Sequence, residues 1–138
     1  MATGSIAVHG HGVRVTTNPQ LSLEFRPAAA RVENLTTQPI TPTVYFPLPN
    51  PQGGTPRLDT IFVTFSGGDV TVNTVALYNG GQTVINDDVN ENSTFSHQIK
   101  SSANAQYTDK GLSIGLKLDI PGRKYIDFKS VTISTSGA

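Results

Sequence analysis

The sequence predicts an all-β protein, an antiparallel β-sandwich of jelly-roll type with about eight to ten strands. Three observations lead there. Apolar and polar residues alternate with a period of two along most of the chain. Gly, Pro and Asn interrupt the alternation every several residues, as turns require. Sustained helical spacing is absent. The clearest run is GLSIGLKLDIPG, in which Leu112, Ile114, Leu116, Leu118 and Ile120 share one face and Ser113, Gly115, Lys117 and Asp119 share the other. Pro121-Gly122 then ends it in a turn.

The remaining elements follow in chain order. AVHGHGVRV, residues 7–15, reads as a strand that carries His9 and His11 on one side and Gly10 and Gly12 on the other. LSLEF groups Leu21, Leu23 and Phe25. PAAARVEN offers one short helical turn after Pro27. TVYFPLP groups Val44, Phe46 and Leu48, but Pro47 has no N–H for a ladder, so this segment belongs at an edge or a strand end. LDTIFVTF sets Ile61, Val63 and Phe65 against Leu58 and Phe62, which suggests a central strand apolar on both faces. In DVTVNTVALYNGGQTVIND the apolar parity shifts from Val70 and Val72 to Val75 and Leu77, the mark of a β-bulge near Asn73-Thr74. Asn79-Gly80-Gly81 then turns the chain into a hairpin. A second parity change falls between Phe128 and Val131 in YIDFKSVTIST. Residues 48–56 and 86–94 read as exposed loops. Strand signals on both sides of each loop are needed for one core, so residues 1–138 are expected to form a single β-sandwich domain.

Composition removes several function classes. Charged residues are only 14% of the 138, well below the roughly 25% of an average soluble domain, so Thr, Ser, Asn and Gln must cover much of the surface. Ten basic and ten acidic side chains cancel. Only Arg123-Lys124 are adjacent bases, so no clustered positive field is on offer and no nucleic acid is expected as a partner. A net charge of zero gives little colloidal repulsion and favours self-association. The absence of cysteine excludes disulfide and thiol chemistry. No apolar run approaches the roughly 18 residues of a membrane span, so no membrane is expected as a partner. MATGSIAVHG lacks the basic and apolar regions of a signal peptide, which leaves the cytoplasm as the default expectation.

Three motifs carry candidate chemistry. His9 and His11 at i and i+2 would grip one metal ion if His97 supplied a third ligand, the usual minimum for a catalytic metal. The cupin pattern is broken, because the next acid after His11 is Glu24. In NDDVNENST, Asp88, Asn90 and Asn92 resemble the first half of a calcium loop, and Asp87 and Glu91 add oxygen ligands. The loop's glycine position is Ser93, and its bidentate glutamate position is Ile99. Gly111-Leu112-Ser113-Ile114-Gly115 matches a nucleophile elbow in letters only, since Ser113 lies inside a strand and no histidine follows His97. Tyr45, Tyr78, Tyr107 and Tyr125 offer faces on which sugar rings stack, in a chain without tryptophan.

Several phrases, taken in order, carry a family likeness. They are Ile6-Ala7-Val8-His9-Gly10, Val13-Arg14-Val15, Phe46-Pro47-Leu48-Pro49, Val75-Ala76-Leu77-Tyr78-Asn79-Gly80, Gly111-Leu112-Ser113-Ile114-Gly115 and Ser134-Thr135-Ser136-Gly137-Ala138. Together they resemble a group of small all-β microbial proteins known as a domain of unknown function. The likeness spans most of the chain, although the tryptophan often found in the first strand of those relatives is missing here. It implies a compact β domain with no established activity, and it brings no catalytic residues.

The expected function is therefore binding or assembly rather than catalysis, with a carbohydrate or another protein as ligand. The candidate ligand-binding residues are Tyr45, Tyr78, Asn79, Asp87, Asp88, Asn90 and Glu91. One alternative is a metal-binding protein or metal-dependent enzyme built on His9, His11 and His97, with a divalent ion as the one cofactor considered. The other is a structural subunit of a homo-oligomer.

Overall fold

The alternation is realised as strands throughout. The computed structural model describes residues 3–15, 20–49, 57–67, 69–79, 82–99 and 111–136. These hold β1 (Thr3–His9), a 3-10 turn (Gly10–Gly12), β2 (Arg14–Val15), β3 (Leu21–Arg26), β4 (Ala29–Asn34), β5 (Thr43–Leu48), β6 (Arg57–Ser66), β7 (Thr71–Asn79), β8 (Gln82–Glu91), β9 (Phe95–Gln98), β10 (Leu112–Asp119) and β11 (Tyr125–Ser136). The described residues contain no helix long and apolar enough to cross a membrane.

The strands form two antiparallel sheets. The first has the order β3-β4-β11-β6-β9, with β1 also paired to β11. The second has the order β2-β5-β10-β7-β8. Apart from the β3–β4 and β7–β8 hairpins, consecutive strands from β4 onward change sheet. The interlocked cores β4-β11-β6-β9 and β5-β10-β7-β8 make the arrangement a jelly roll.

Period two decides which side chains meet between the sheets. From the first sheet come Ile6, Val32, Ile61, Val63, Phe65, Ile126, Phe128, Val131 and Ile133, and from the second Val44, Phe46, Val75, Leu77, Leu112, Ile114, Leu116 and Leu118, all buried. Phe46 and Phe128 meet across the gap edge to face, with ring centroids 5.2 Å apart. The expected bulges are present. The β7 registers with β8 and with β10 both skip Asn73, which keeps Val72 and Val75 inside. The β11–β6 register skips Lys129, which does the same for Phe128 and Val131.

Four expectations are corrected. First, residues 7–15 are not one strand. β1 ends at His9 in the first sheet, the 3-10 turn carries the chain across, and β2 begins in the second sheet. Gly10 allows the crossing, because a Cβ there would land on the carbonyl oxygen of Phe128. Second, PAAARVEN is not helical: Arg26 pairs with Ala29 around the turn Pro27-Ala28, and β4 follows. The alternation of Ala30, Val32 and Asn34 against a wet face outweighs the helix-starting proline. Third, Leu58 does not face outward with Phe62. A register shift that skips Asp59 turns Leu58 into the core, while Phe62 stays 43% exposed among Ser and Thr neighbours. Fourth, residues 86–91 are not a loop but the end of β8, an exposed edge strand. Of the other expected loop, residues 50–56 lie outside the described residues, as does Tyr107.

Two polar constellations anchor β4. Arg31 on β4 donates to Asp127 on β11 through Nε (2.8 Å) and Nη2 (3.0 Å), and its guanidinium lies 3.6 Å from the Tyr125 ring centroid. Hydrogen bonding to Asp127 pushes the Arg31 guanidinium above its ordinary range, so it remains charged. Asn34 is fully buried. Its Nδ2 donates to the carbonyls of Gln38 (2.7 Å) and Ile120 (3.2 Å), and its Oδ1 accepts from Thr36 N and Oγ1. The folded chain therefore presents no free amide at the sequon Asn34-Leu35-Thr36.

Two outcomes follow. Asn34→Ala removes that hydrogen-bonded node of four bonds and is expected to cost about 4 kcal/mol in urea denaturation, at roughly 1 kcal/mol per bond lost; an unchanged midpoint would contradict the assignment. Gly10→Ala forces the turn away from β11 and is expected to cost about 2 kcal/mol or more, read as a lowered melting temperature, whereas a neutral result would place the 3-10 turn elsewhere.

Candidate functional site

The solvent face of the second sheet is the other side of its core pattern. On β5, burying Val44 and Phe46 turns Thr43 and Tyr45 outward. On β10, burying Ile114, Leu116 and Leu118 turns Gly115 and Lys117 outward. On β7, burying Val75 and Leu77 turns Thr74, Ala76 and Tyr78 outward.

Register then places these residues in rows across the sheet. Tyr45, Gly115, Ala76 and Asn86 form one row. Thr43, Lys117, Thr74 and Asp88 form the next. Ser113 stands between Pro47 and Tyr78 in a third. Gly115 is where the tyrosines converge. A Cβ at that position would lie 3.3 Å from Cε2 of Tyr78 and 3.4 Å from Cε1 of Tyr45. The missing side chain lets the two aromatic rings pack close over the β10 backbone.

The result is an open groove of about 200 Å³ lined by Thr43, Tyr45, Thr74, Ala76, Tyr78, Asn86, Gly115 and Lys117. Its apolar surface comes from the two rings and from small residues. Its polar surface comes from hydroxyls, one amide and one ammonium group. Lys117 is the single charged residue in that lining. The composition suits a ligand with apolar faces and many hydroxyls. The lining itself holds no histidine or carboxylate; Asp88 lies just outside it, next to Thr74.

The other candidate residues are dispersed. Asn79 is buried on the core side at the end of β7. Asp87 turns toward the other sheet, and its Oδ2 lies 2.8 Å from His97 Nε2, closing the sandwich edge between β8 and β9. Asp88 turns outward and accepts from Thr74 Oγ1 at 3.4 Å. Adjacent strand residues diverge in this way, so Asp87 and Asp88 do not share an ion. Asn90 holds a left-handed φ of 52°, and Glu91 pairs with Val72 beside the register shift.

The histidines are not gathered as a triad. His9 is an outward residue of β1, whereas His97 faces inward on β9, three strand spacings or about 14 Å away. The backbone of His11 lies in the 3-10 turn, and its side chain is outside what the structure describes. Among the described residues no group of three His, Asp or Glu side chains gathers as metal ligands. Of the candidate residues, Tyr45 and Tyr78 come together in the groove, whereas Gly115, Lys117, Thr43, Thr74, Ala76 and Asn86, which line it with them, were not among the candidates. The only hint in the chain was a glycine and a lysine at successive outward positions of LSIGLKL.

No protein-family model matches the sequence, and no curated protein matches it. Solved structures do share its fold. A single-residue mutant of the family 29 carbohydrate-binding module CBM29-2 superposes with a TM-score of 0.52 at 11% identity, covering 96% of this chain and 93% of that one. The family 29 module CBM29_1 from Piromyces equi gives a TM-score of 0.51 at 10% identity, covering 99% of this chain and 93% of that one. At such identities the likeness is one of architecture: this chain has the β-sandwich fold that those modules have.

Proposed function

We propose that this protein is a non-catalytic carbohydrate-binding module whose ligand lies in the groove between Tyr45 and Tyr78. The convergence of the two rings over Gly115 carries the reading. A pyranose ring presents apolar C–H faces and a rim of hydroxyls. The tyrosine rings match the faces, and Thr43, Thr74 and Asn86 match the rim. A strand-borne site also holds its geometry, because each outward side chain is fixed by an inward neighbour in the core. Carbohydrate binding by modules of the same architecture supports the reading. The neutral surface fits a neutral or weakly charged ligand better than a nucleic acid.

A glycan array followed by calorimetry tests this. Tyr45→Ala and Tyr78→Ala are each expected to weaken the best ligand by about tenfold, which is roughly 1.4 kcal/mol, with the β-sheet circular dichroism unchanged. Tyr→Phe at either position should keep most of the affinity, since the stacking face survives. Gly115→Val should abolish binding by pushing the two rings apart; the atoms its side chain would meet belong to tyrosine side chains on the solvent face and not to backbone, so folding should persist. Failure to bind any glycan at millimolar concentration, or full binding by the double Tyr→Ala variant, would refute the proposal.

A further inference from the structure

Resting on the groove reading above, we infer that the site selects sugars carrying an anionic substituent, with Lys117 as the counter-charge. Lys117 is the next outward residue after Gly115 on β10, about 7 Å along the strand. A sugar seated on the tyrosine pair therefore brings its edge to the ammonium group. The lateral neighbours of Lys117 are Thr43 and Thr74, both uncharged. No carboxylate lies within ion-pair distance of Lys117 among the described residues, although five other pairs form in the molecule.

The remaining charges on this face lie outside the groove lining. Asp88 belongs to the edge strand two spacings from β10, about 10 Å away, and accepts from Thr74. Asp119 is the next outward residue beyond Lys117, on the side away from Gly115. Arg14 is paired with Tyr45 from β2, and its Nη1 donates to the carbonyls of Gly12 and Val13. It adds positive charge on the tyrosine side. A ligand anion over Gly115 thus faces Lys117 directly, with Arg14 behind Tyr45 and the two acids beyond the rim. A neutral sugar would leave this ammonium with water alone. A carboxylate or sulfate would give it a charge-assisted hydrogen bond.

The probes are matched oligosaccharide pairs that differ only at C6: cello-, manno- and galacto-oligosaccharides, their C6-carboxylate (uronate) counterparts, and their C6-sulfated counterparts. At low salt the wild-type protein should prefer an anionic member of one series over its neutral partner by about fivefold, and 0.5 M NaCl, as an arbitrary screening dose of about 4 Å Debye length, should erase the preference. The carboxylate and sulfate arms identify which anion is taken. Lys117→Met should reduce the anionic-over-neutral preference to about unity, whatever it does to the affinity for the neutral partner. Equal or better binding of the neutral member by wild type, or an anionic preference that survives in Lys117→Met, would overturn this inference and leave the groove reading standing. Binding of none of the probes or of any array glycan would remove both.

Discussion

The contact between Phe46 and Phe128 organises the rest of the molecule. It joins β5 of the second sheet to β11, the central strand of the first, and Phe65 packs against Phe128 beside it at 6.2 Å between centroids. Because a strand alternates, an inward anchor dictates the residues on either side of it. Phe46 in the core obliges Tyr45 to face water. Leu77 does the same for Tyr78, and Ile114 with Leu116 do it for Gly115. The groove is in this sense the reverse side of the hydrophobic core. Its geometry inherits the rigidity of a close-packed interior, although none of its outward residues contributes to the inward packing.

Bulges are the second structural device. Three register shifts on β7, β6 and β11 let strands with irregular apolar spacing bury Val72 with Val75, Leu58 with Ile61, and Phe128 with Val131. Without the skip at Asn73, Val72 and Val75 could not both be inside. The shift also fixes which of Thr74 and Asn73 joins the groove row. Core packing and site composition are thus set by the same one-residue insertion. The free edges are managed separately. β8 carries Asp87 and Asp88 along an exposed edge, where charge discourages pairing with another chain. The contact of Asp87 with His97 joins that edge to β9.

The electrostatics are sparse, and this gives individual groups their meaning. Arg31 is consumed by Asp127 and by the Tyr125 ring, so its charge serves the joint between β4 and β11. The acids that resembled a calcium loop are divided between the two sides of β8. Among the described residues Lys117 has no ion-pair partner, and it stands beside the two tyrosines on the solvent face.

Much of the architecture was legible in the chain. Period two, turn residues and two parity changes led to a jelly-roll sandwich with bulges near Asn73 and between Phe128 and Val131. Those are local properties, encoded by side-chain alternation along one strand. What sequence reading misplaced was wherever a neighbour intervened: Gly10 bends because β11 lies against it, and Leu58 turns inward because β11 pairs out of step. The histidines attracted attention by their spacing, yet spacing along a chain does not say which sheet each residue joins. The candidate site shows the same division. Tyr45 and Tyr78 were recognisable as stacking faces from residue type alone. Their meeting over Gly115, and the place of Lys117 beside them, depended on strand order and register. Those are set by contacts between residues tens of positions apart, so only the tertiary structure decided them.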